Sequence, residues 1–198
     1  MSRVTKCRHV EAVILESLNS SPDVNKVLVA LAESVSCRLR SLELVRCNLS
    51  VSDMKALSDH CPCVASIKIV ASKFETPHGG HRCRFSALQS LDLNEYCFFY
   101  EDNLLALFGN SCNLRRLTVG PNNIKKSDWL RLLPELSELG SLSLSRCSTV
   151  DDEVLVEMSE FCGRLENVLF RQMPHLTVAG LQRLALASRR LTNIDLLM

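Results

Sequence analysis

Leu39-Arg40-Ser41-Leu42-Glu43-Leu44-Val45-Arg46-Cys47-Asn48-Leu49 decides the fold. Leucine stands at the first, fourth, sixth and eleventh places of this stretch, and a cysteine stands ninth. Its middle alternates apolar and polar side chains, the mark of a short strand with one buried face. The cysteine closes a turn by bonding to, or packing beside, the backbone of neighbouring segments. A second stretch, Leu114 to Ile124, repeats the spacing with Asn122 in the ninth place. A third starts at Leu139 and carries Cys147 and Val150.

Looser copies start at Val10, Val64, Leu88, Leu165 and Leu191. The starts then fall at 10, 39, 64, 88, 114, 139, 165 and 191, with spacings of 24 to 29 residues. All 24 template positions hold Val, Ile, Leu or Phe. A near-constant period of this length is the signature of a solenoid, in which each unit buries its apolar face only against its neighbours.

The rest of each unit returns the chain, mostly as helix. Pro22 follows Ser20-Ser21 as a first-turn proline, and Val24, Val27, Leu28, Leu31 and Val35 form one apolar face. Ser52-Asp53, Glu101-Asp102, Ser127, Asp151-Asp152-Glu153 and Thr177 each mark a helix start. The last of these opens a face of Val178, Leu181, Leu184 and Leu186. One unit reads instead Glu75-Thr76-Pro77-His78-Gly79-Gly80-His81-Arg82-Cys83-Arg84-Phe85, and its proline and glycines predict a basic, solvated loop.

The motif resembles that of leucine-rich repeat proteins of the cysteine-containing subtype, as in the repeat region of F-box/LRR proteins. It is also similar in plan to ribonuclease inhibitor. The resemblance covers residues 8–198. It implies an α/β leucine-rich repeat solenoid of about eight coils over residues 1–198, one domain, with a concave parallel sheet and convex helices. It also implies protein binding, as in substrate-recognition adaptors of ubiquitin ligases. The first repeat starts at Val10, which leaves no room ahead of it for an F-box.

Composition narrows the function. The chain has 198 residues, 46% hydrophobic and 23% charged, with 23 basic against 22 acidic residues and a net charge of +1. Disorder is out, and so is nucleic-acid binding driven by overall charge. The longest run of strong hydrophobes, Val27 to Ala32, is far short of a membrane span. Without a secretory signal, the ten cysteines read as free thiols of an intracellular, cytoplasmic protein, and a mitochondrial address stays open.

Seven cysteines follow the repeat. Cys7, Cys61 and Cys162 stand three residues before a start, Cys37 and Cys112 two before, and Cys47 and Cys147 close turns. All seven are expected in the core. Cys63, Cys83 and Cys97 are left over. His78, His81 and Cys83 have a spacing that could hold zinc, but a lone loop lacks a matching second half, and no metal is expected. Neither nucleotide-binding glycine motifs nor a nucleophile elbow occurs. Ser52 and Lys55 match S-x-x-K and read as a helix cap with an exposed lysine. The chain therefore reads as a non-enzymatic scaffold without cofactors.

The third, fifth and seventh places of each repeat face outward from the sheet. The third is small and polar, with Arg116 as its one arginine. The fifth carries Glu43, Lys68, Asp92 and Asp195, and the seventh Val45, Val70, Asn94, Gly120, Arg171 and Leu197. Val45 and Val70 beside Glu43 and Lys68 form an apolar centre with a charged rim, as a protein interface has. Asp195, Leu196 and Leu197 lie on the last strand, whose edge is expected to be covered either by more of a longer chain or by another subunit. Arg115, Arg116, Lys125, Lys126 and Arg131 form a basic group in the fifth repeat that suits an acidic protein better than RNA.

Overall fold

In a computed structural model, the described residues are 10–18, 24–35, 38–74, 82–95, 97, 103–121 and 124–197. They alternate strand and helix. The chain runs β1 (Ala12–Glu16), α1 (Val24–Val35), β2 (Ser41–Val45), β3 (Asn48–Leu49), α2 (Val51–His60), β4 (Ser66–Val70) and β5 (Lys73–Phe74). It continues through β6 (Ser90–Glu95), α3 (Asn103–Phe108), β7 (Arg116–Val119), α4 (Lys126–Leu132) and a 3₁₀ turn at Leu133–Glu135. It ends with β8 (Ser141–Ser145), α5 (Asp152–Phe161), β9 (Asn167–Arg171), α6 (Val178–Ala187) and β10 (Asn193–Leu197).

The long strands form one 8-stranded sheet in the order β1-β2-β4-β6-β7-β8-β9-β10, and β3 pairs with β5 in a second, smaller sheet. Every pairing is parallel. Each strand neighbours the next along the chain because one unit of about 25 residues suffices for a strand and its return.

Register is set by the alternation of side chains. The first, fourth and sixth places of the inner six repeats are buried, from Leu39, Leu42 and Leu44 to Leu165, Val168 and Phe170. The end coils are less covered. Val10, Val13 and Leu15, like Leu191 and Ile194, are only partly buried, since within this chain they have a neighbouring coil on one side.

Backbone hydrogen bonds fix the strand starts. The carbonyl in the second place of each repeat accepts two N–H groups from the next repeat. Gly140 and Ser141 donate to Arg115 (3.0 and 2.9 Å), Glu166 and Asn167 to Gly140 (2.8 and 3.0 Å), and Thr192 and Asn193 to Glu166 (2.8 and 3.1 Å). The strand ends turn through left-handed residues. Ser17, Arg46, Ala71, Arg146 and Gln172, all in the eighth place, have φ between 47° and 57°. Such a conformation costs a non-glycine residue about 1 kcal/mol or more. It is held where the freed N–H reaches the next coil, as from Arg46 to the Val70 carbonyl (2.9 Å).

The ninth place forms a second ladder. Cys47 Sγ donates to the Leu15 carbonyl (3.5 Å), Ser72 Oγ to Leu44 (3.4 Å), Cys97 Sγ to Ile69 (3.3 Å) and Cys147 Sγ to Val119 (3.7 Å). Each acceptor is the sixth place of the preceding repeat. Cys97 reaches this position through an extra residue in β6, where Lys68 pairs with Asp92 but Val70 pairs with Glu95. Counting from Leu88 without that bulge leaves Cys97 outside the pattern.

Several expectations need correction. Ser50, two residues before Ser52, caps α2. It accepts from the Asp53 N–H (3.1 Å), and Asp53 accepts from the Ser50 N–H (2.8 Å), a capping box. Ser127 lies inside α4, whose N-cap residue is Lys125 and whose start is not capped by a side-chain hydrogen bond from that residue. Asp151 and Thr177 do cap α5 and α6. Val27, Val178 and Leu186 are exposed, although periodicity placed them on buried faces. Cys112 is exposed as well, and Ser111 takes the buried place beside it. Arg82 to Phe85 is not a solvated loop throughout, because Cys83 and Phe85 lie in the core. Cys7, Cys37, Pro22, His78, His81, Asn122 and the Glu101-Asp102 helix start lie outside the described residues.

Candidate functional site

The outward columns line up across the sheet. In the fifth place, Ile14, Glu43, Lys68, Asp92, Thr118, Ser143, Leu169 and Asp195 follow one another in register. Glu43 and Lys68 join at 2.9 Å across β2 and β4. Val45 and Val70 pair directly beside them and are half-buried. Ser41, Ser66 and Ser90 form the neighbouring column, so short side chains leave the valines reachable.

The structure gathers some expected site residues and separates others. Glu43, Val45, Lys68, Val70 and Asp92 form one group on β2, β4 and β6. Asn94 does not hold the seventh place beside Val70, because the bulge puts Glu95 there. Gly120 follows the end of β7 and extends no strand column. Arg116 is exposed on β7, and Arg171 is exposed on β9 between Ser145 and Leu197. Five strand steps separate Val45 from Arg171, roughly 24 Å at the usual spacing. The two ends of the sheet are therefore distinct surfaces.

On β10 the alternation divides the expected edge residues. Leu197 pairs with Arg171 on the open face, whereas Leu196 pairs with Phe170 on the core side. Their exposures are 47% and 46%, against 2% for Phe170. Leu196 is thus a core-type residue uncovered within this chain. Asp195 accepts a hydrogen bond from Asn193 (3.0 Å).

The basic group of the fifth repeat also divides. Arg115 and Arg116 stand at the start of β7, whereas Lys125, Lys126 and Arg131 stand on or beside α4. Lys126 bridges the Asp151 and Glu153 carboxylates at 2.6 and 2.5 Å. These hydrogen bonds raise its ammonium above the ordinary lysine value. Burial pushes the Asp151 carboxyl upward, but bonds from Lys126, Val154 and Glu153 outweigh it and leave Asp151 below the usual aspartate value.

Cysteines, histidines and carboxylates are spread along the described residues. No three His, Cys, Asp or Glu side chains there are placed to hold a metal. Cys83 donates to the Val51 carbonyl (3.8 Å) inside the core, and burial pushes its thiol up to about 12. Burial likewise raises Cys162 to about 12 and Cys61 to about 11, far from the thiolate that nucleophilic or metal chemistry needs. Lys55 of the S-x-x-K match pairs with Asp59 (2.7 Å) one turn on, and the Ser52 hydroxyl bonds Ser50.

Sequence reading missed a further surface feature. A groove of about 340 Å³ lies along the starts of β7 to β10, lined by Arg115, Glu138, Gly140, Arg164, Glu166 and Arg190. The available signal was Gly140 itself, the only glycine in the second place of the repeats.

No known protein family matches the chain, and no curated protein matches it. Among solved structures, 43 chains are similar. One is a crystal structure of a TLR13–ssRNA13 complex, at a TM-score of 0.62 and 18% identity. That match covers 98% of this chain and 30% of the TLR13 chain, so this chain spans less than a third of its neighbour's length. TLR13 is a leucine-rich repeat protein. With the parallel sheet, the helices and the repeat, this defines the class: an α/β leucine-rich repeat solenoid. Its concave sheet is the face just described. No helix among the described residues is long and apolar enough to cross a membrane.

Proposed function

We propose that this chain is a non-enzymatic protein–protein interaction scaffold, a structural subunit of a larger multiprotein assembly. Residues 1–198 act as one repeat domain, without cofactor, substrate or nucleic acid. The observation that carries the reading is the Val45–Val70 pair, apolar and reachable on a sheet of small polar residues, with the Glu43–Lys68 bridge beside it. An interface core of this kind excludes water around apolar anchors while charges at the rim set register. Asp92 extends this patch onto β6, where Asn94 also lies, and Arg116 and Arg171 supply separate contacts farther along the sheet. Asp195, Leu196 and Leu197 form a second contact, on a strand whose two leucines are exposed. A cytoplasmic location suits the buried cysteines, which form no disulfide among the described residues.

The test is mild purification of the tagged chain from its native cell, with cross-linking and mass spectrometry. The expected result is a stoichiometric set of subunits, cross-linked through Lys68 and the β10 strand. Val45→Asp with Val70→Asp should weaken the association by about 2 kcal/mol, roughly thirtyfold. Polar changes at Leu196 and Leu197 should release a permanent partner. A monomer with nothing bound, or association unchanged by both sets, overturns the reading.

The cysteine ladder at Cys47, Cys97 and Cys147 favours a second reading, a substrate-recognition adaptor of a ubiquitin ligase. Its F-box would come from elsewhere. Recovery of a cullin-type ligase with changing minor partners selects that reading over a fixed subunit. Weakening by changes at Glu43, Lys68 and Asp92 would accompany it.

A further inference from the structure

The groove along the starts of β7 to β10 is built on a rigid floor. Arg115, Gly140 and Glu166 occupy the second place of three successive repeats, where each carbonyl accepts two N–H groups from the next coil. A floor fixed in this way loses little freedom when a ligand binds. Gly140 opens the groove, since it puts no side chain between Arg115 and Glu166. A Cβ there would lie 3.8 Å from the Arg115 and Arg164 carbonyl oxygens, an ordinary contact, so the gap is not enforced by crowding.

The charges around the gap are unevenly satisfied. Arg164 pairs with Glu138 at 2.6 Å. The exposed Arg115 and Arg190 side chains make no ion pair among the described residues. Glu166 is the one lining carboxylate outside the Arg164 pair. Two arginines therefore flank the groove against one glutamate between them. Guanidinium forks at both ends suit carboxylates, and the central glutamate repels a third acid there. Three strand steps from β7 to β10 span roughly 14 Å, about four residues of extended chain.

We propose that this groove binds an extended acidic peptide segment of a partner protein, with carboxylates at Arg115 and Arg190 and a neutral residue opposite Glu166. The inference rests on the scaffold reading and names the chemistry of one partner for it. The site is separate from the valine pair on β2 and β4.

The test uses the full chain and a fluorescein-labelled peptide of alternating glutamate and serine, with an oligouridylate of equal length in parallel. Anisotropy should show peptide binding that weakens about tenfold in the Arg115→Glu, Arg190→Glu double variant. Gly140→Trp, which fills the groove without changing charge, should weaken it several-fold, and Arg183→Glu on α6 should leave it unchanged. No peptide binding, or binding indifferent to these substitutions, overturns the proposal. Tighter binding of the oligouridylate, lost in the same variants, also overturns it and makes the groove a nucleic-acid site. The Val45→Asp, Val70→Asp variant separates the two readings. If it releases the cellular partners and keeps the peptide, both surfaces stand. If partners persist in the arginine and glycine variants and the peptide never binds, only the groove fails.

Discussion

The coil that starts at Leu139 and the coil that starts at Val64 present the same strand to the sheet and close differently behind it. Behind β8 lies α5, which buries Val154, Leu155 and Met158. Behind β4 and β5, the described chain has no helix, and the extended residues 82–85 fill its seat. Cys83 and Phe85 are 1% exposed there, and Phe85 stacks on Phe108 at 6.4 Å between ring centres. The segment is tied to both neighbouring coils: the Cys83 N–H donates to the Ala106 carbonyl (2.8 Å) and the Arg84 N–H to Ser58 Oγ (3.3 Å). The strand side of a coil is fixed by its backbone ladder. The convex side needs only apolar volume and satisfied polar groups, and a helix is one way to supply both.

The most severe way to break this comparison is to remove the volume. Phe85→Ala should cost about 3–5 kcal/mol, as much as Leu155→Ala in the helical coil at about 2–5 kcal/mol. Urea unfolding of both variants decides it. A cost below about 1 kcal/mol for Phe85→Ala would mean that residues 82–85 do not replace a helix.

A smaller effect sharpens what helical coils have in addition. Asp152 accepts from the Thr177 N–H (2.9 Å) and hydroxyl (2.5 Å), locking the start of α5 to that of α6. A Cβ on Gly180 would lie 2.1 Å from an Asp152 oxygen. Alanine within a helix is normally about 1 kcal/mol better than glycine. Gly180→Ala should nevertheless lower stability, because Asp152 must turn away. In an Asp152→Ala background the same change should stabilise by about 1 kcal/mol. Thermal melting of the four proteins tests this, and equal effects in both backgrounds would refute the lock.

The Lys126–Asp151 contact adds a weaker, pH-dependent tie between α4 and α5. The Asp151 carboxyl lies below its ordinary value of 3.8 in the folded chain. Its stabilisation is therefore present above 3.8 and lost as pH falls through the lower folded value. Asp151→Asn should be less stable than the parent at neutral pH, and the gap should close in strong acid. A gap that persists there points to lost cap geometry instead. Smallest of all is a purely chemical signature. Cys83 and Cys162, one in each kind of coil, should resist iodoacetamide equally at neutral pH, while exposed Cys112 is alkylated. Faster labelling of Cys83 would show the coil that starts at Val64 opening on its own.

Much of the sheet was legible, because a repeat announces its strand by three apolar places and its face by alternation. Leu42, Leu44, Ser41 and Glu43 point where the pattern put them. Helix faces were less legible. Val178 and Leu186 fit the helical period yet lie exposed, since periodicity does not say whether a next coil covers them. Cys97 escaped because an inserted residue shifts everything after it, and only pairing with β4 reveals the bulge. The candidate valine patch was readable from columns. The groove was not, because its lining comes from residues just before and just after several repeat starts.

From the residues alone came the period, the parallel order of the strands, which strand side chains turn toward the core and the small polar character of the open face. These follow from local alternation repeated at a constant spacing. Only the tertiary structure decided the rest: the seating of Cys83 and Phe85 in place of a helix, the left-handed turns at Arg46 and Arg146, the split of Leu196 from Leu197, and the arginine-flanked gap at Gly140. Each depends on what the adjacent coil offers at that spot, a carbonyl, a void or an opposing charge, and that neighbour stands about 25 residues away along the chain.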